Sequence, residues 1–167
     1  ESLVTFALAL IVLDLTPGPD MMLILARGIG QGRKVALMTM VGMTFVAGSV
    51  QLTLLVLGIA SLLQTHPEAL TLLRWAGAAY LIWLGARLIL ARAESDGARC
   101  AAPEISAWTA MRQGRLNSLT NPKSLLFMFA FLPQFVDPAA GPVWLQLLVL
   151  GTIQKLAGVC SLGGVAL

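Results

Sequence analysis

From Val35 to Leu63 the chain carries no Asp, Glu, Lys or Arg, and that stretch is longer than the roughly 20 apolar residues a helix needs to cross a bilayer. A helix that is apolar on every side must be buried in a large core or in lipid, and a chain of 167 residues has no core of that size to offer. The whole chain agrees, at 57% hydrophobic and 11% charged, where an ordinary soluble domain carries about 25% charge. Mean hydropathy is +0.84. Further apolar runs lie at about 2–26, 70–90, 116–136 and 143–167. The expected fold is therefore an all-α membrane protein, a polytopic helical bundle of about five or six spans in a single transmembrane domain over 1–167.

The net charge of +3 does not point to nucleic acid, because Lys and Arg stand at the ends of the apolar runs. Counted loop by loop, they favour a cytoplasmic location for 27–34 and for 92–115, which starts the N-terminus outside. Gly28, Gly30 and Gly32 form no phosphate cradle, since no strand precedes them. Cys100 and Cys160 make no paired motif and His66 is the sole histidine, so neither a metal centre nor a cofactor is expected. No serine sits in a nucleophile-elbow setting and the histidine is in a loop, which argues against an enzyme. No basic segment precedes a short apolar core, so no cleavable signal peptide is expected.

Two of the apolar runs are interrupted. In the first, Leu13-Asp14-Leu15-Thr16-Pro17-Gly18-Pro19-Asp20 places two prolines, a glycine and two acids at mid-run. Proline removes a backbone donor and clashes with the preceding turn, so the helix must break. Thr16 is expected to cap the second piece and Pro17 to open it, giving a half-helix to about Arg27. In the fourth run, Asn121 is expected to cap and Pro122 to start a second half-helix, followed by Lys123. Lipid tolerates such breaks only where protein or a wet cavity meets them, as at transport sites. The stretch from Pro103 onward is expected to lie along the membrane surface as an amphipathic helix.

The two interruptions lie beside each other in sequence pattern. Leu15-Thr16-Pro17-Gly18-Pro19-Asp20 matches Leu119-Thr120-Asn121-Pro122-Lys123-Ser124, and Arg74-Trp75-Ala76-Gly77 resembles Lys155-Leu156-Ala157-Gly158. This is the plan of an inverted 3+3 repeat with broken first and fourth helices: repeat one about 1–91, a cytoplasmic loop about 92–115, and repeat two about 116–167. Thr16 to Arg74 spans 58 positions and Thr120 to Lys155 only 35, so the second repeat is short by about one helix. Because a mid-membrane lysine is costly without a partner, a segment missing near 150–155 is expected, with Lys155 at a loop edge; the alternative is a five-span protein with a snorkelling or paired Lys155.

Leu15-Thr16-Pro17-Gly18-Pro19-Asp20 with Arg27-Gly28 and Gly32-Arg33, then Gly77-Ala78-Ala79-Tyr80-Leu81 with Leu84-Gly85, then Asn121-Pro122-Lys123 and Phe131-Leu132-Pro133-Gln134-Phe135-Val136, resemble the signature of the lysine exporter / homoserine–threonine efflux (LysE/RhtB-type) family. The resemblance covers about residues 1–150. It implies an inner-membrane secondary transporter of bacteria that exports amino acids or close derivatives, coupled to the proton gradient. Its partners would be an amino-acid substrate, protons and lipid, with no nucleic acid, and a homo-oligomer is compatible with it. The short second repeat leaves, as the alternative, a non-transporting remnant or membrane assembly partner.

On that reading the translocation site comprises Asp14, Thr16, Pro17, Gly18, Pro19, Asp20, Gln51, Asn121, Pro122 and Lys123. The N-terminal ends of the half-helices carry partial positive charge and free N–H groups suited to a carboxylate. Asp14 or Asp20 would hold an ammonium group or the coupling proton, and Lys123 would pair with an acid or serve the carboxylate. Plainer roles stand beside these: Asp14 as a backbone cap, Asp20 as dipole compensation, Lys123 snorkelling, and Gln51 as an interhelical hydrogen-bond partner.

Overall fold

The computed structural model describes residues 2–65, 67–90 and 104–166; His66, Cys100 and the 91–103 part of the polar loop lie outside them. All regular structure in these residues is helical, as expected of an all-α bundle. α1 is Ser2–Leu15, α2 is Pro19–Gln31, α3 occupies 33–65 and α4 is Pro67–Leu90. α5 is Ala107–Thr120, α6 occupies 122–131 and runs into a 3₁₀ turn at Leu132–Phe135, and α7 is Val143–Ala166. Among the described residues, Arg33–Ile59 and Val143–Ala166 are long and apolar enough to cross a membrane, and α1 with α2 makes a third span if the bent pair is one.

The first break is where the prolines require it, but its chemistry differs from the expected one. Thr16 does not cap α2. Its hydroxyl and its N–H both donate to the Val12 carbonyl, at 2.6 and 3.0 Å, which closes the last turn of α1. Gly18 is the cap residue, extended at φ −150°, and Pro19, not Pro17, opens α2. The two helices meet at 42°. At the second break the expectation holds: the Asn121 side chain accepts from the Lys123 N–H at 3.1 Å and Pro122 opens α6.

Two other expectations are corrected. Residues 27–34 are not a loop. α2 continues to Gln31 and α3 starts at Arg33, with the turn made by Gly32 alone at φ +90°, a backbone conformation open to glycine at no steric cost. Helix α5 is not isolated from the bundle. Its Ala110, Gly114 and Ser118 are buried one turn apart against the first half of α3. Lys155 is not at a loop edge either: α7 runs unbroken through it.

Small residues set how closely these helices approach. A Cβ on Gly42 would stand 2.0 Å from the Met111 carbonyl oxygen, and one on Gly114 would stand 2.2 Å from that of Thr39. The α3 and α5 backbones therefore touch, the crossing that small residues permit where lipid supplies no hydrophobic drive. Gly77 meets Ala130, and Gly151 meets Leu52 and Leu55, joining α4 to α6 and α7 to α3. The perimeter is apolar: Leu8, Val12, Leu57, Leu72, Trp75, Ile82 and Leu156 are all exposed, as a surface facing acyl chains should be.

Two apolar clusters hold the ends of the bundle. One gathers Phe6, Leu10, Leu55, Ile59, Leu132, Leu147 and Leu150. The other, smaller, gathers Ile24, Ala36, Met40, Met43 and Ala166. Both helix breaks fall between them. α3 winds loosely, as a π-helix, over Gly42–Ala47 and Leu55–Ile59, and α6 does so over Phe127–Phe131, distortions frequent at functional sites. The α3–α5 contact yields a stability test. Gly42→Ala should destabilise the protein by about 2–3 kcal/mol through overpacking against backbone. Gly58→Ala, with nothing within 4 Å, should be neutral or stabilising by up to about 1 kcal/mol. Thermal unfolding in detergent compares the two; equal melting points would refute the close approach.

Candidate functional site

A cavity of about 90 Å³ opens between the two clusters, room for several waters at the ~10–15 Å³ each requires. Its polar wall includes Asp14, Thr16, Gly18, Asp20, Ser118, Asn121, Lys123, Gln154 and Lys155, and Leu13, Met21, Met43 and Leu162 form an apolar wall. Six of the ten expected site residues thus share one cavity: Asp14, Thr16, Gly18, Asp20, Asn121 and Lys123. Pro17, Pro19 and Pro122 are exposed and outside the lining, shaping the breaks from behind. Gln51 is fully buried and reaches the cavity through a partner.

The two breaks are physically joined. The stem of Lys123 lies over Gly18, whose added Cβ would stand 3.0 Å from the lysine Cδ. Its ammonium donates to the Thr16 carbonyl, one of the carbonyls a helix C-terminus leaves without an intrahelical donor. A cation there also meets the negative end of the α1 dipole. Among the described residues Lys123 forms no direct ion pair; it crosses from one interrupted helix to the other.

The two acids have different surroundings. Asp20 accepts from the Asn117 side-chain amide at 2.6 Å, and the side chains of Asn121 and Ser118 stand beside the same carboxylate. It fastens the start of α2 to the end of α5. Asp14 has no side-chain hydrogen bond among the described residues, and Lys123 and Lys155 are the cations it faces. Of the two, Asp14 has the free coordination needed to take a mobile cation or proton.

Lys155 was not among the expected site residues, and it is central. Its Nζ donates to the Gln51 Oε1 at 2.5 Å, while the Gln51 Nε2 donates to the Ser118 carbonyl at 3.0 Å. The amide is oriented by necessity, since a carbonyl accepts and an ammonium only donates. The lysine stem packs on Gly48, where a Cβ would come within 3.3 Å of its Cδ. This partnership is why a lysine stands in the middle of α7. Gln154, also unanticipated, is 7% exposed beside it. The available signal was the polar pair Gln154-Lys155 inside an otherwise apolar run.

A family model described as LysE type translocator matches residues 11–167. The chain belongs to the LysE-type translocator family. A leucine efflux protein of Enterobacter sp. (strain 638) is 34% identical over 91% of this chain and 72% of its own length. One from Salmonella typhimurium is 29% identical over 95% of this chain and 74% of its own length. An uncharacterized membrane protein of Vibrio cholerae is 35% identical over 87% and 70% respectively. No solved structure matches. Membership makes the chain a membrane transporter and not an enzyme, as the signature residues implied.

The Gln51 bridge can be tested by a double-mutant cycle. Gln51→Leu alone leaves the Lys155 ammonium without its partner and the Ser118 carbonyl with only the Asn121 N–H, and should cost about 2–3 kcal/mol. Adding Lys155→Met should recover at least about 1 kcal/mol of that loss. Unfolding in detergent measures both; strictly additive effects would show that the two side chains do not interact.

Proposed function

We propose that the chain is a secondary transporter exporting amino acids with apolar side chains across the bacterial inner membrane in exchange for protons. The observation that carries this is the cavity at the junction of two broken helices, in which an unbonded carboxylate, Asp14, faces two ammonium groups across from an apolar wall. An α-amino acid needs those three things: an anion for its ammonium, cations or helix N–H groups for its carboxylate, and an apolar surface for its side chain. Asp14 takes the ammonium. Lys155 and the free N–H groups at the start of α2 take the carboxylate. Met21, Met43 and Leu162 take the side chain. The names of the leucine efflux relatives agree with that side-chain class.

Exchange follows from a single group with two mutually exclusive occupants. The ionised Asp14 binds substrate ammonium from the cytoplasm. A proton arriving from outside neutralises the carboxylate and releases the ammonium outward. The two broken helices are the equivalent members of an inverted repeat, and rocking one repeat against the other exposes the cavity to each side in turn. Arg33, Lys34, Arg112 and Arg115 stand at the end where α2, α3 and α5 meet, which supports a cytoplasmic location for that end.

Cells expressing the full chain and fed leucine-containing dipeptides should hold a lower internal leucine pool than cells without it, and a protonophore should abolish the difference. Asp14→Asn should remove export, at least about tenfold, with unchanged protein in the membrane fraction. An unchanged pool across all twenty amino acids and homoserine would overturn the proposal.

A further inference from the structure

Gln154 has no role in the mechanism above. It lines the cavity from α7, it is 7% exposed, and its Oε1 is buried without a hydrogen-bond partner among the described residues. Leaving a buried acceptor unmade costs about 1–3 kcal/mol, and native proteins keep few such groups without a reason. The hydrogen bonds of the neighbouring donors run elsewhere. The neighbouring Lys155 ammonium is directed to Gln51, the Lys123 ammonium to Thr16, and the Asn117 amide to Asp20. The Gln154 carbonyl is left as an acceptor with no donor among the described residues.

Asp14 presents the same chemistry in the same cavity, a carboxylate with no side-chain donor of its own. Two acceptors of this kind, one charged and one neutral, suit a primary ammonium, which carries three donors and no acceptor. We propose that Gln154 contacts the substrate, its side-chain carbonyl accepting a hydrogen bond from the α-ammonium that Asp14 neutralises. This rests on the exporter reading. It adds a discrimination the carboxylate cannot provide alone. A proton on Asp14 gives the pair a single O–H donor, whereas an ammonium brings three N–H donors and serves both acceptors at once, so Gln154 favours substrate over proton in their competition for one acid.

The test uses purified full chain and binding of radiolabelled L-leucine, with two competitors. Leucinol keeps the ammonium and lacks the carboxylate; 4-methyl-2-oxopentanoate keeps the carboxylate and lacks the ammonium. Gln154→Leu should weaken binding of leucine and of leucinol by about tenfold, the loss of one hydrogen bond to a charged group. Competition by the oxo acid should stay within about twofold of wild type. Gln154→Glu, close in shape and bearing a charge, should strengthen leucinol several-fold and serves if the leucine variant fails to fold. A Gln154→Leu protein that binds leucine as wild type does, or that loses both competitors equally, overturns the assignment alone, as does a Gln154→Glu protein with unaltered leucinol competition. A wild-type protein that binds no leucine overturns the exporter reading and this assignment with it.

Discussion

The architecture depends on one contact, the ammonium of Lys123 on the carbonyl of Thr16. A helix broken in the middle of a membrane leaves carbonyls and N–H groups that lipid cannot satisfy. The break in α1–α2 is tolerable because a cation from the other break supplies a donor. The break in α5–α6 is supported in return, since Asn117 and its neighbours hold Asp20 at the start of α2. Each interruption is completed by residues of the other. The polar cavity lies where the two breaks meet.

The surroundings of that cavity are arranged by packing of a different kind. Apolar clusters close the bundle above and below it, and contacts at Gly42 and Gly114 bring α3 against α5. That crossing positions the Ser118 carbonyl where Gln51 can reach it, and Gln51 then fixes Lys155. A methyl group added on α3 would thus be felt at a lysine on α7. The loosely wound segments of α3 lie on either side of Gln51, so the residue that organises the basic side of the cavity is carried between two distortions of its own helix.

What was legible in the sequence is what depends on near neighbours. Proline at 17, 19 and 122 dictates interruption wherever it occurs in a helix, and Asn121 before Pro122 caps by local geometry, so both breaks were readable. The details shifted where two local options compete: Thr16 can cap forward or bond backward to Val12, and it does the latter, moving the start of α2 to Pro19. The packing of helix α5 was not readable, because the buried stripe of Ala110, Gly114 and Ser118 has meaning only opposite α3. Lys155 was hardest to place. Its partner Gln51 is 104 positions away, and nothing in the neighbouring sequence announces that partner.

The four charged side chains of the cavity have a bearing on membrane voltage. Asp14, Asp20, Lys123 and Lys155 carry formal charges that cancel, and a zwitterionic amino acid adds none. A field of 100 mV does about 2.3 kcal/mol of work on each unit of charge that crosses it. It does none on a site that is empty or holds only a zwitterion. On the proposed exchange, the electrical part of the driving force would enter solely with the proton, and the resting potential would power the return of the carrier while leaving the amino acid's own passage indifferent to it.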